Sequence, residues 1–360
     1  MVASYGIYGG LLVACTALAY FADRTDRKRL LWGIVAALTL VAGLRAESVG
    51  IDTVAYIEKF SYIADGFPQY AYGFEASFKW IVRALQWICP HPSFLFTVFA
   101  LVTNGCIVRG LWDYRRVSDF PVSVACYYMG YFFLSLNGVR QLCAVAILLC
   151  ATRCLVVKRY FRYLLWVLVA SLFHLSGWIG LTFLGVSLLG IRRLSVRRRA
   201  LLSVTVAVLP VPAYFILCEM ERYEGYFEEG AAQLGVMIPL KLAFYVCSLL
   251  FVFVLYGATR HFGALGEEGE FERNRVLLVA VLYGIGLLLA FSSYFMPILN
   301  RVGWYFMIFE GLYMGMLLKT KHSLHRYVFG WCAVLLIGYG FVRAMVENEQ
   351  GMMPYLFFWQ

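Results

Sequence analysis

Asn137, Arg140 and Gln141 sit between two apolar runs in "YFFLSLNGVRQLCAVAILLC" (Tyr131–Cys150), and their types pose the first chemical question. An arginine in hydrocarbon costs ~2.5–3.5 kcal/mol on insertion scales, so polar groups in such runs are usually functional. A guanidinium offers a planar fork of donors that matches phosphate or carboxylate, and it stays charged at working pH. Asn137, three residues before Arg140, shares its helical face. Residues of the same kind recur in four other segments: Arg45, Glu47 and Asp52 in "RAESVGID", Glu75 in "YGFEASF", His174 in "FHLSG" and Arg301 in "LNRVG". A carboxylate or imidazole beside such arginines can take a proton from a hydroxyl. The set suits chemistry on a phosphate ester embedded in a membrane. Each residue also has a plainer reading. Arg45 can end a helix, Asp52 and Glu75 can cap the helices that follow them, and His174 can be a hydrogen-bonded core residue. Glu310 reads as a polar packing contact.

The elements that must position these residues follow from composition. The 360 residues are 62% hydrophobic and 14% charged, with a mean hydropathy of +0.74. A soluble domain of this length cannot cover so much apolar surface. Apolar runs of ~17–22 residues recur along the chain and predict membrane-spanning helices. The expected fold class is all-α, a polytopic integral membrane protein with about twelve transmembrane helices. The net charge of +10 is distributed in short basic runs between the apolar ones. "RTDRKR", "YRR", "KRYFR", "RRLSVRRR", "ERNR" and "KTKHSLHR" therefore read as cytoplasmic loops rather than as a nucleic-acid surface. The apolar N-terminus lacks a basic leader and predicts a retained helix. The ten cysteines show no CxxC or metal spacing, so neither disulfides, a metal site nor a cofactor is expected.

Placing the basic loops inside fixes the path. Tyr5–Phe21 crosses inward and Leu30–Leu44 outward, leaving Arg45 at the outer face. Residues 45–92 are too polar to span and predict an extracytoplasmic loop with short amphipathic helices. Phe94–Trp112 returns, and the next two helices turn outside at Asn137–Gln141. The interval Tyr163–Gly190 is long for one crossing and short for two, yet both its flanks are basic. It predicts two short or kinked helices meeting near "FHLSG". Ala200–Cys218 then leads to a second extracytoplasmic loop over residues 219–233, and Leu234–Tyr256 returns. Val276–Leu299 exits to Asn300 and Arg301, Val302–Leu318 re-enters and Tyr327–Phe341 exits. One integral domain over residues 1–360 results, with both termini outside.

In order, "LRAESVGIDTVAYIEKF", "YGFEASF", "LNGVRQLCAVAI", "FHLSGWIGL", "LNRVGWYF" and a terminal "PYLFFW" resemble the EpsG-type branch of the Wzy polysaccharide polymerases, over roughly residues 40–310. The N-x-x-R-Q block matches best. "FHLSG" carries one histidine where relatives often carry two in tandem. The resemblance implies a GT-C-like membrane glycosyltransferase in the bacterial plasma (inner) membrane. Its substrate would be a polyprenyl-diphosphate-linked oligosaccharide, polymerised at the extracytoplasmic face into capsule, O-antigen or exopolysaccharide. A chain-length regulator and a flippase are the partners it implies.

The residues can be given roles on that basis. Arg140 and Arg301, with Arg45 third, would hold the leaving diphosphate, where fixed cations stabilise developing charge. His174 is the first candidate base, with Asp52 and Glu75 as alternatives. Asn137, Gln141 and Tyr56 would contact substrate, and Tyr56, Tyr70, Tyr72 and Trp80 would stack on sugar rings. Three alternatives stand beside a polymerase: a flippase or transporter of lipid-linked sugar, an outer-face glycan ligase, and an O-acyltransferase. Transporters place polar groups near the midplane and show paired repeats, whereas here they gather at one face.

Overall fold

The computed structural model describes residues 2–188, 266–293, 298–319 and 330–360. Their regular structure is helical apart from a single antiparallel bridge between Arg45 and Phe357. The loop expected at 219–233 and the crossings at Ala200–Cys218 and Leu234–Tyr256 lie outside the described residues.

Helices α1 (Val2–Thr25) and α2 (Arg29–Gly43) form an antiparallel pair whose outward residues, among them Val13, Phe21, Trp32 and Leu40, are apolar and exposed. Such faces suit lipid. The polar segment that follows contains α3 (Thr53–Ala64), a 3₁₀ turn at Pro68–Tyr70 and α4 (Ala76–Ile88). These are the short amphipathic elements expected there. α4 buries Phe78 and Val82 while Trp80 and Trp87 face outward.

Helix α5 (Pro92–Asp113) opens with proline in its first turn, where a missing N–H costs nothing, and His91 Nδ1 accepts from Ser93 N at 3.2 Å. α6 (Phe120–Tyr127) is capped by Asp119, passes through a π turn at Tyr128–Phe132 and continues as α7 (Phe133–Asn137). Gly138 breaks the chain before α8 (Val139–Val156). The helical hairpin expected here is present, and its break puts Arg140 and Gln141 in the first turn of α8. α8 is almost entirely buried and packs against α5 and against α9 (Tyr160–Phe173). A 3₁₀ turn at Leu175–Ile179 joins α9 to α10 (Gly180–Leu188), so two helices meet at His174, where the spacing predicts a junction.

Later, α11 (Gly266–Ser292) precedes α12 (Ile298–Met307), which carries Arg301 in its first turn rather than on a loop. The single helix expected over Val302–Leu318 is two: α12 ends near Ile308, and α13 (Glu310–Lys319) begins at Glu310. The break leaves the Glu310 carboxylate buried, with Tyr283 of α11 donating to it at 3.3 Å. α14 (Trp331–Val346) follows.

Among the described residues, four helical stretches are long and apolar enough to cross a membrane: Val2–Thr25, Pro92–Asp113, Val139–Val156 and Phe271–Ala290. α2, α9, Leu175–Leu188 and Val334–Val346 are apolar but shorter. The chain is thus an integral membrane protein by these four helices, while the full set of about twelve crossings remains an expectation.

Among the described residues, parts of several basic loops come together at one end of the bundle. Arg115 pairs with Asp26 at 2.7 Å, Arg153 with Asp113 at 3.3 Å and Arg116 with Glu272 at 4.0 Å, and Lys319 Nζ donates to the Arg115 carbonyl. At the other end, the residues after α14 fold back as a strap. Ala46 N donates to Leu356 O at 2.8 Å, Gly50 N to Gly351 O at 2.7 Å and Phe358 N to Leu44 O at 2.9 Å. Tyr8 Oη donates to Met352 O at 3.0 Å, and Tyr355 Oη to Val41 O at 2.9 Å. The strap ties α1 and α2 to the loop that carries Asp52.

Candidate functional site

Arg45 lies just past α2 and is 3% exposed. Its guanidinium donates to Ala42 O, to Leu136 O at 2.8 Å and to Thr53 Oγ1 at 3.3 Å, and it rests 4.2 Å from the Phe96 ring centre. Carbonyls at a helix end have no partner in the helix, and Arg45 supplies one to α2 and another to α7. Burial pulls its pKa down to about 10, against the opposing effect of Tyr355 and Tyr8. Its donors are largely committed to the protein.

Asn137 does similar work with an amide. Its Oδ1 accepts from Asp52 N at 3.4 Å, and its Nδ2 donates to the carbonyl and side chain of Gln350 at 3.0 and 2.9 Å. Close approach of the 49–52 loop requires glycine: Gly50 has φ +99°, and a Cβ there would sit 2.8 Å from Asn137 Oδ1. Asn137 thereby joins the Asp52 loop, the end of α7 and the strap.

One residue turn into α8, Arg140 reaches the other way. Its Nη1 pairs with Glu75 and its Nη2 donates to Gly73 O at 2.9 Å. The guanidinium lies over two aromatic rings, 4.7 Å from Phe74 and 5.2 Å from Phe78. Its Nε is buried without a hydrogen-bond partner, which is unusual for a native buried donor. Glu75 Oε1 accepts from Leu175 N at 3.2 Å, so one carboxylate links α8 to the 174–176 turn.

At that turn the imidazole of His174 acts as a helix cap. Ser176 N donates to Nδ1 at 3.2 Å, and Ser176 Oγ also contacts Nδ1. A backbone N–H can only donate, so Nδ1 accepts and the proton of the neutral ring lies on Nε2. Ser176 Oγ in turn meets the Tyr305 hydroxyl of α12 at 2.8 Å.

Gln141 Nε2 donates to the Arg301 carbonyl at 2.7 Å. The residue after Arg140 thus anchors the helix that bears Arg301, whose side chain is exposed. Asp52 caps α3 by position but makes no side-chain cap hydrogen bond. One turn on, Tyr56 packs on Phe74 and Phe96 at 5.4 and 6.2 Å between ring centres. Burial pushes the Tyr56 phenol up, the adjacent Arg140 guanidinium pulls it back and Asp52 adds to the rise.

All nine candidate residues therefore belong to one end of the bundle. Asp52, Tyr56, Arg140, Glu75 and His174 form a connected series; Arg45, Asn137 and Gln141 hold the backbone around it. Tyr70 and Tyr72 lie in the 45–92 region with Trp80 exposed on α4. Sequence reasoning missed Ser176, Tyr305, Gln350 and the Phe74–Phe78 pair. Phe74 and Phe78 flank Glu75 at helical spacing and Ser176 stands two residues from His174, signals the sequence carries; Tyr305 and Gln350 depend on contacts between distant segments. Among the described residues no three His, Cys, Asp or Glu side chains cluster as metal ligands would.

No curated protein and no solved structure matches this chain. A family model does. It runs from residue 28 to residue 357 and so takes in the strap, the Asp52 loop, the Arg140–Glu75 pair and the His174 turn together. Over that extent the match leaves one assignment: this chain belongs to the EpsG family, which links it to exopolysaccharide biosynthesis.

Proposed function

We propose that the chain is a polysaccharide polymerase. It would join polyprenyl-diphosphate-linked oligosaccharide units at the end of the bundle that carries Arg140, which would face away from the cytoplasm if the basic loops lie inside. The observation that carries this reading is the Arg140–Glu75 pair. The Arg140 guanidinium, held by Glu75 and by Gly73 O and with its Nε buried without a partner, lies over aromatic rings in the first turn of a buried helix.

In the proposed reaction a hydroxyl of one lipid-linked unit attacks the anomeric carbon of the other. The bond from that carbon to the diphosphate oxygen breaks, and both electrons leave with the polyprenyl diphosphate. Negative charge grows on the departing oxygen, where Arg140 and Arg301 would stabilise it; losing one such donor costs ~10²–10³ in rate. Arg45 would act at a remove, since its donors close α2 and α7.

The acceptor proton needs a base. The geometry favours Asp52 over His174, reversing the order expected from residue type. The acceptor nitrogen of His174 is already met by Ser176, so its other ring nitrogen would carry the proton. Asp52 has a carboxylate with no cap hydrogen bond, within electrostatic reach of Tyr56. Glu75 is held by Arg140 and Leu175 N and would orient the guanidinium. Asn137 and Gln141 would serve by holding the loops, and Tyr56 by facing the substrate beside Arg140.

The test is the glycan left in cells lacking this chain. A single repeat unit on the lipid carrier supports a polymerase. Normal polymer overturns it, and lipid-linked units confined to the cytoplasmic leaflet point to a flippase.

A further inference from the structure

Outside the Arg140 series, the 45–92 region contains a cleft of about 430 Å³ lined by Glu58, Lys59, Tyr62, Tyr70 and Tyr72. That volume lies within the ~300–1,000 Å³ of small-ligand sites. Its lining combines flat rings with a carboxylate, an ammonium and phenol hydroxyls. The Tyr62 hydroxyl donates to Glu58 Oε1 at 2.8 Å, and Tyr62 and Tyr70 meet edge to face at 5.9 Å between centres. Tyr70 is 49% exposed and Tyr72 72% exposed. Lys59 Nζ lies 5.3 Å from the Phe74 ring centre, and the Arg140 guanidinium lies 4.7 Å from that same ring. The cleft is therefore one aromatic ring away from the candidate diphosphate site.

We infer that this cleft binds a sugar residue of the glycan while its diphosphate end lies at Arg140. The inference rests on the polymerase reading and names its glycan subsite. Pyranose rings present apolar C–H faces and hydroxyl edges. Exposed tyrosines supply stacking surfaces for the first, and Glu58 and Lys59 supply an acceptor and a donor for the second. A membrane anchor would also use exposed aromatics, but it has no use for a carboxylate and an ammonium in the same lining. Phe74, shared by Lys59 and Arg140, keeps the two subsites in fixed register.

The probe is lipid-free oligosaccharide cut by partial acid hydrolysis from the polysaccharide that the producing cells make, added to the full chain in lipid nanodiscs. Wild type binds it. Tyr70→Ala with Tyr72→Ala weakens binding about tenfold or more, while the Tyr70→Phe, Tyr72→Phe pair stays within about twofold. Glu58→Gln weakens it several-fold. If the double alanine variant binds normally while Arg140→Lys abolishes polymer, the cleft assignment fails and the polymerase reading stands. If that variant loses binding but cells without the chain still make polymer, the polymerase reading fails and the cleft stands. If it binds normally but trypsin now cuts at Lys59 in the nanodisc, the rings are a membrane anchor and the inference is overturned.

Discussion

Arg140 and Glu75 pair across 65 positions of sequence, joining the first turn of a buried helix to the cap of an amphipathic one. Each partner also holds something else: Arg140 the Gly73 carbonyl, Glu75 the N–H of Leu175. Breaking the pair should therefore disturb position as well as charge. Arg140→Lys keeps the charge and loses the fork. Polymer made by cells carrying it should fall ~10²–10³-fold at normal protein level on an immunoblot. Full-length polymer would remove Arg140 from the diphosphate site.

Asp52 and His174 separate cleanly as candidate bases. Asn is a good cap, so His174→Asn preserves acceptance from Ser176 N and should keep activity within about tenfold of wild type, whereas losing a general base costs ~10²–10⁴-fold. Asp52→Asn should fall into the second range with an unchanged melting temperature. Initial rates with reconstituted protein decide it; the opposite ranking would restore His174 as the base.

The strap makes a stability prediction. Asn137→Ala removes two bonds to Gln350 and one from Asp52 N. It should destabilise the chain by about 1–3 kcal/mol, the cost of buried groups left unsatisfied. Because Asn137 and Gln350 touch, combining Asn137→Ala with Gln350→Ala should give less than the sum, by about 0.5 kcal/mol or more. Thermal unfolding in detergent reads both, and strict additivity would mean the strap does not act through Asn137.

Tyr305→Phe should leave Ser176 with one partner fewer and move the His174 turn relative to α12. The expected outcome is a modest loss of rate, about tenfold or less, with faster hydrogen exchange at residues 174–179. Unchanged exchange would show that the Ser176–Tyr305 contact holds nothing.

Much of this arrangement was legible because the membrane makes polarity informative. In a chain this apolar, Asn137, Arg140 and Gln141 stand out, and the basic runs on both sides of Tyr163–Gly190 force a hairpin at His174. Two features stayed hidden. The strap is short, and its bonds to residues 44–50 run through backbone groups that carry no residue signature. The hydrogen bonding of His174 depends on which atom meets which neighbour: Ser176, two residues on, donates to its Nδ1. The break at Glu310 went unread for a related reason, since the Tyr283 hydroxyl that meets its carboxylate comes from another helix.

The central claim is that the Arg140 end of this bundle lengthens glycan on its lipid carrier. Liposomes holding the purified chain, supplied from outside with lipid-linked repeat units, test it most directly. The expected product is a ladder of increasing length, absent with Arg140→Lys and with Asp52→Asn. Units that cross the bilayer without growing, or a ladder that persists in both variants, would contradict it.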